Sequence, residues 1–203
     1  GHVTKEGDVA GPRILEHIVD VVLYMEGDSV NSLRLLRTKK NRFGSTDEIG
    51  IFQMTERGLL ELKDPSRTFL PEHRTGVGSV IVSVIEGNRP LLAEIQALTA
   101  RSILSTPRRV SSGVEFNRVL LVCAVLTRRL GISLATQDIV VNVGGGLKIR
   151  EPSADLGLAL SIVSAFRNIP INPDIVAIGE IGLSGEIRTV PQIERRISEV
   201  DRL

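Results

Sequence analysis

The chain has 203 residues, of which 42% are hydrophobic and 24% are charged, and this composition favours a folded globular protein over a disordered one. Its 25 Lys and Arg residues balance 24 Asp and Glu residues, so net charge predicts no polyanionic partner, and any nucleic acid would bind a local patch. The lone Cys123 excludes a disulfide framework, and its apolar run VLLVCAVL is shorter than the ~20 residues of a membrane span. We expect a soluble cytoplasmic protein without a membrane partner.

The first part of the chain predicts a short helix followed by strands. Pro12 can occupy a first helical turn, and Ile14, Leu15 and Ile18 recur at helical spacing. The β-branched stretch VDVVLYMEG and the stretch LRLLRT are predicted strands, and IGIFQMTERGLLEL predicts one or two short strands around Arg57-Gly58. The polar stretch KDPSRTFLPEHRTGVG, with two prolines and two glycines, is typical of a linker.

The second part mixes strands and helices without strict alternation, which favours an α+β domain. GSVIVSVIEG, RPLLAEIQALTA and DIVVNVGGG are predicted strands, the last of them running into a glycine turn. EFNRVLLVCAVLTRRLG predicts a helix ended by Gly131, and PSADLGLALSIVSAFRN predicts a second. IVAIGEIG and GEIRTV predict a hairpin around Leu183-Ser184, before a last helix that looks truncated.

A basic cluster, TKKNRFG, follows the second predicted strand. Lys39, Lys40 and Arg42 suit a phosphate, yet the chain contains no glycine-rich phosphate loop of its own. One interpretation is a solvated hairpin tip, which the spacing alone favours. The other is that Lys40 and Arg42 reach a nucleotide held by a neighbouring subunit.

The motif Lys40-Asn41-Arg42-Phe43-Gly44, the preceding GHVTKEGDVAGPRILEHIVDVVLYMEGD and the later RPLLAEIQAL and EPSADLGLAL closely resemble the RadA (Sms) family of bacterial DNA-repair proteins along the whole chain. The resemblance implies an α/β and α+β fold. Residues 1–65 would be the C-terminal strands of a RecA-like ATPase core and residues 66–77 a linker. Residues 78–203 would be a Lon-protease-like domain of the ribosomal protein S5 domain 2 type, truncated at its C-terminus.

The resemblance also implies a ring, a hexamer, that moves on single-stranded and branched DNA together with a recombinase. ATP with Mg²⁺ would bind the longer protein, whereas this fragment would hold no cofactor or metal and would be inactive alone. Lys40 and Arg42 would act on the neighbour's nucleotide. His2 or Thr4 would sense the nucleotide, and Lys5 and Arg13 would contact DNA, although a hydrogen-bonded His and a Lys paired with Glu6 or Asp8 remain as alternatives.

Pro152-Ser153-Ala154 resembles the nucleophile segment of the Lon protease, which pairs its Ser with a Lys. Counting along GEIGLSGEIRTVPQIERR places Glu194 at the lysine position, so the proteolytic site looks vestigial. The alternative, a Ser-dependent ATP-linked peptidase using Ser153, would need another base. From its position before an apolar helix, Ser153 is predicted to be an N-cap.

The remaining candidates are a glycine run and scattered cations of the second domain. Gly144-Gly145-Gly146 predicts a turn, with a phosphate-binding loop as the less favoured alternative. Arg108 and Arg109, expected in a loop, would contact DNA if the second domain's cations gather on one face; otherwise that domain is an oligomerisation platform. The cations in question are Arg101, Arg108, Arg109, Arg118, Arg128, Arg129, Lys148 and Arg150.

Overall fold

The computed structural model describes residues 13–27, 32–70 and 76–203, with the backbone alone for residues 13–15. The chain divides into two compact units, residues 1–62 and residues 63–203. Helices and strands occur in both units, so the predicted mixture of the two is confirmed.

The described part of the first unit is a short helix followed by an antiparallel meander. It contains α1 (Arg13–Ile18), β1 (Val21–Glu26), β2 (Leu33–Asn41), β3 (Ile49–Thr55) and β4 (Gly58–Glu61), hydrogen-bonded in the order β1-β2-β3-β4. A two-residue turn at Glu56-Arg57, one residue before the predicted Arg57-Gly58, joins β3 to β4. β2 is longer than expected, because Lys40 and Asn41 pair with Val22 and Val21 of β1. Placing Lys39 to Asn41 in a turn was therefore wrong, and the turn begins at Arg42.

The second unit is built on a five-stranded mixed sheet with the order β7-β8-β6-β5-β9. β5, β6 and β8 are antiparallel neighbours, and the two edge strands pair in parallel with β8 and β5. A separate two-stranded hairpin has its turn at Leu183-Ser184, as predicted. The strands are β5 (Ser79–Glu86), β6 (Arg89–Arg101), β7 (Arg109–Ser112), β8 (Gln137–Val143), β9 (Val176–Ala177), β10 (Glu180–Ile181) and β11 (Ile187–Arg188).

Helices cover both faces of this sheet. The described residues of the second unit form α2 (Pro65–Phe69), α3 (Phe116–Leu130), α4 (Asp155–Arg167) and α5 (Ile193–Asp201). α4 lies so close to β5 that a Cβ at Gly157 would come within 2.1 Å of the Val82 side chain. The adjacent strand residue, Ile81, packs with Leu92 and with Val200 near the end of α5. Because successive strand residues point to opposite faces, α4 and α5 lie on opposite sides of the sheet.

The segment before the second sheet is helical and packs in the second unit. Asp64 accepts a hydrogen bond from the Arg67 amide at 3.4 Å, Pro65 occupies the first turn of α2, and Phe69 is 2% exposed. Residues 63–70, assigned from sequence to the first domain and the linker, thus belong to the second unit. An Asp cap followed by Pro is a helix start signal that the linker interpretation overlooked.

A charged network holds the end of α5 to the start of α2. Arg202 donates to Asp64 at 2.8 and 3.0 Å and to Glu199 at 2.8 and 3.0 Å, and Glu199 accepts the Ser66 hydroxyl at 2.5 Å. The Arg202 hydrogen bonds hold the pKa of Asp64 below its usual value. Burial opposes ionisation of Glu199, but hydrogen bonds from Arg202 and Ser66 outweigh it and lower its pKa.

We expect acid to loosen this end of α5. A carboxyl whose folded pKa is depressed stabilises the fold above its unfolded pKa, and the stabilisation is lost as pH falls through the folded value. Protection of α5 amides in hydrogen exchange, corrected for intrinsic rates, should therefore fall below about pH 4. Arg202→Gln should lower protection at neutral pH and flatten that dependence, whereas Arg167→Gln should behave as wild type. Equal pH profiles for wild type and Arg202→Gln would contradict the linkage.

Candidate functional site

The basic cluster divides into residues that hold the first unit and one that projects. Lys40 Nζ donates to the carbonyls of Glu16 and Val19 at 3.0 and 2.7 Å, with His17 O at 3.5 Å. These carbonyls lie at and just beyond the C-terminal end of α1, where a cation is electrostatically favoured. Lys39 pairs with the Glu16 carboxylate at 2.9 Å. In the isolated chain, Lys40 thus anchors β2 to the end of α1.

Arg42 is the cation that reaches outward. Its side chain is 75% exposed and its guanidinium lies 3.3 Å from Asp20, itself half-exposed, so the pair contributes little to stability. The turn beneath it is ordered by Asn41, whose Oδ1 accepts the Phe43 amide at 3.1 Å and whose Nδ2 donates to Ser45 O at 3.3 Å. This geometry presents an exposed cation on a hydrogen-bonded turn.

The sensor and loop candidates His2, Thr4 and Lys5 lie outside the described residues. Arg13 begins α1, and its side chain likewise lies outside the described part. Their assigned roles stay predictions.

Ser153 lies at the centre of a buried polar cluster that the sequence did not predict. The cluster joins Ser153, Glu151, Arg196 and the Ser83 carbonyl, and both Ser153 and Arg196 are 1% exposed. Arg196 Nη1 donates to Ser153 Oγ at 3.0 Å, to Ser83 O at 2.7 Å and to Glu151 Oε1 at 2.8 Å. Its Nη2 donates to Glu151 Oε2 at 2.6 Å and its Nε to Pro191 O at 3.0 Å. Every nitrogen of the guanidinium therefore has a partner.

Two expectations about this region were incomplete or wrong. Ser153 is not an N-cap: its hydroxyl faces the Ser83 carbonyl at 3.5 Å and Arg196, and neither the short 3₁₀ turn Pro152–Ala154 nor α4 has a side-chain cap. Glu194, at the counted lysine position, is exposed in the first turn of α5. The residue that reaches Ser153 is Arg196, two positions later, because α5 turns its inward face there.

A small cavity of about 90 Å³ lies beside this cluster and is lined in part by Glu115, Arg118 and Arg150. Arg118 makes a two-pronged ion pair with Asp155, with Nε at 2.6 Å from Oδ1. Asp155 is 1% exposed and also accepts the Ile181 amide at 3.0 Å. The hydrogen bond and charge of Asp155 raise the pKa of Arg118. These contacts fix α3, α4 and β10 together.

The cations of the second unit differ in exposure and in hydrogen-bond partners. Arg108 is exposed before β7, whereas Arg109 begins β7 and donates to the Leu134 carbonyl at 2.7 Å and to the Gln137 carbonyl. The loop assignment for Arg109 was therefore wrong, and its guanidinium ties β7 to the segment before β8. Arg101, Arg128, Arg129, Lys148 and Arg150 are exposed.

The glycine run forms a turn, as predicted. Gly144 to Gly146 make a short 3₁₀ turn after β8. Gly145 has φ of +68°, and a Cβ there would lie 2.6 Å from the Phe69 ring. Close packing on α2 accounts for this glycine without a phosphate.

Comparison of the sequence with known proteins identifies a matching family and several relatives. Residues 82–202 match the family model described as subunit ChlI of Mg-chelatase. The chain belongs to that family. Over its whole length it is also 52% identical to proteins named DNA repair protein RadA from Halalkalibacterium halodurans and Bacillus subtilis, and 50% identical to that of Streptococcus pneumoniae. The predicted resemblance to RadA is confirmed. The chain spans 44–49% of the length of these relatives.

The described residues hold no group of three His, Cys, Asp or Glu side chains arranged for a metal ion. Among the helices of those same residues, none is long and apolar enough to cross a membrane.

Proposed function

We propose that this chain is part of a DNA-dependent ATPase of the RadA type that acts in recombinational DNA repair and branch migration. The observation that supports it most is 52% identity, along the entire chain, to proteins named for DNA repair. In this proposal the longer protein binds ATP with Mg²⁺ and works in the cytoplasm as a hexameric ring with a recombinase. The first unit is the end of its RecA-like core.

Within the ring, Arg42 contacts the nucleotide of the neighbouring copy. Its exposure and the weakness of its ion pair with Asp20 leave the guanidinium able to turn toward a phosphate. Lys40 can join the same nucleotide only by releasing the carbonyls of Glu16 and Val19 at the end of α1, so its main contribution is to hold the turn from which Arg42 projects.

The second unit is a Lon-like scaffold without proteolytic activity. A serine nucleophile needs a neighbouring group that can take its proton. The side chain in contact with Ser153 is a buried guanidinium, which has donors only and no site for a proton. Glu151 holds the same guanidinium beside Ser153, so the Arg196 side chain occupies the space that a catalytic lysine amine would need.

The scaffold contacts single-stranded and branched DNA through exposed arginines. Arg108 is a better candidate than Arg109, because the Arg109 guanidinium is occupied by main-chain carbonyls. The described part of the chain includes only five aromatic Phe and Tyr residues besides Phe43, so contacts to phosphates would dominate and binding would weaken steeply with salt.

Filter binding of this chain to single-stranded and forked DNA over a salt series tests the proposal. Arg108→Ala should weaken binding and make the slope of log affinity against log salt shallower by about one. Arg167→Ala removes an exposed arginine at the end of α4 and should leave the slope unchanged. Salt-independent binding, or equal slopes for the two variants, would contradict the proposed contact.

A further inference from the structure

The connection between β6 and β7, residues 102–108, presents an apolar side chain at its tip. Ile103 is 98% exposed and the adjacent Leu104 is 43% exposed. Folding normally hides at least part of such a side chain, because exposed apolar surface is unfavourable in water. An isoleucine this exposed is explained if it contacts a ligand, which requires an ordered loop and neighbouring residues that suit that ligand.

This loop is fixed at both ends on the strand that it crosses. Sheet order places β8 between β6 and β7, so the loop passes over the beginning of β8. The Ser102 amide donates to Thr136 O at 2.9 Å and the Arg108 amide donates to Asp138 Oδ1 at 2.6 Å. The Arg108 amide, with a smaller contribution from the Ser102 hydroxyl, holds the pKa of Asp138 below its usual value. The Ser102 hydroxyl in turn accepts the Leu104 amide at 3.1 Å.

The charge around the tip favours a polyanion. Arg101 is the last residue of β6, Arg108 ends the loop, and both are exposed. The sequence contains no Asp or Glu between Glu94 and Glu115, and the carboxylate of Asp138, which meets this loop, already accepts the Arg108 amide. Ser102, Ser105 and Thr106 add hydroxyl donors. An apolar tip between cations matches the way proteins insert aliphatic side chains between bases while binding the flanking phosphates.

We infer that residues 102–108 form a DNA-contacting wedge, in which Ile103 inserts between bases while Arg101 and Arg108 bind the phosphates on either side. The inference rests on the proposed DNA contact of the second unit and adds how that contact is made. Neither arginine alone would unstack a base, and Ile103 alone would have no attraction to a charged backbone. The two kinds of contact therefore make separable contributions.

Forked DNA with 2-aminopurine at the junction between duplex and single strand measures both contributions, because this base brightens when it is unstacked. The wild-type chain should raise its fluorescence. Ile103→Ala should abolish the rise and weaken binding about tenfold, without changing the salt slope, since no charge is removed. Arg108→Gln should make the slope shallower by about one while keeping the rise at saturation. The control Ile169→Ala, which trims another exposed isoleucine, should match wild type.

Each result decides the inference. Circular dichroism should show Ile103→Ala folded, because the side chain has little contact to lose. If Ile103→Ala binds forked DNA as tightly as the wild type and keeps the fluorescence rise, the wedge is overturned and the proposed DNA contact stands. If instead it alters only the sedimentation of the chain, Ile103 contacts another protein copy. If the wild-type chain binds no forked DNA at any salt concentration, both proposals fail.

Discussion

Arg196→Ala is expected to destabilise the second unit by about 3 kcal/mol, as measured for partners removed from buried ion pairs. The side chain is 1% exposed and donates to four different groups. Its removal leaves the Glu151 carboxylate, which also accepts the Ile85 amide at 2.6 Å, without its counter-charge. It also removes the 2.7 Å hydrogen bond that the guanidinium donates to the Ser83 carbonyl. Urea unfolding followed by amide hydrogen exchange in β5 and α5 would measure the loss.

The neighbouring Arg195 provides the matched control. It lies on the same helix, is exposed, and makes bonds of 3.1 and 3.4 Å to Gln192 and Asn88. Arg195→Ala should cost less than about 1 kcal/mol, as surface changes usually do. The double variant Arg196→Met with Glu151→Leu should cost less than Arg196→Ala, because no unpaired charge remains. Equal effects of Arg195→Ala and Arg196→Ala would show that the buried cluster does not hold α5.

The sequence predicted the second unit's main strands and helices because their patterns are long and their end signals strong. α3 ends immediately before Gly131, and the hairpin turns at Leu183-Ser184, as expected. Two of the misses are short elements. α2 has five residues and β7 has four, and such lengths give too few periods for a hydrophobic pattern to show. Tertiary contacts, the Phe69 packing and the Arg109 bonds, define them instead.

The sequence predicted which segments form the candidate site better than it predicted which side chains contact one another there. Counting from the family motif located the right segment of α5 but gave Glu194, because alignment fixes a position along the chain and not the direction of a side chain. A helical signal did exist: Arg196, Val200 and Leu203 are spaced by four and three residues, which places them on one face. Similarly, TKKNRFG indicated a phosphate contact, but only pairing of β2 with β1 shows that Lys40 is turned back toward α1.

Arg42→Ala, placed in the longer protein that includes the proposed phosphate-binding loop, is expected to lower DNA-stimulated ATP hydrolysis by about 10³-fold, the usual effect of losing an arginine finger. The guanidinium is exposed and its ion pair with Asp20 is weak, so its removal should cost little stability. Lys39→Ala, which removes a neighbouring exposed cation paired with Glu16, should hydrolyse ATP normally and serves as the control.

Mixing distinguishes action on a neighbour from action within one subunit. A subunit with an inactive phosphate-binding loop still has Arg42, and an Arg42→Ala subunit still has the loop. Where the two meet in a mixed ring, one complete site forms from two defective copies, so hydrolysis should partly return. Recovery in the mixture but not in either variant alone would place Arg42 at its neighbour's nucleotide. Normal hydrolysis by Arg42→Ala would contradict action on the neighbour's nucleotide and leave TKKNRFG as a DNA contact or a hairpin tip.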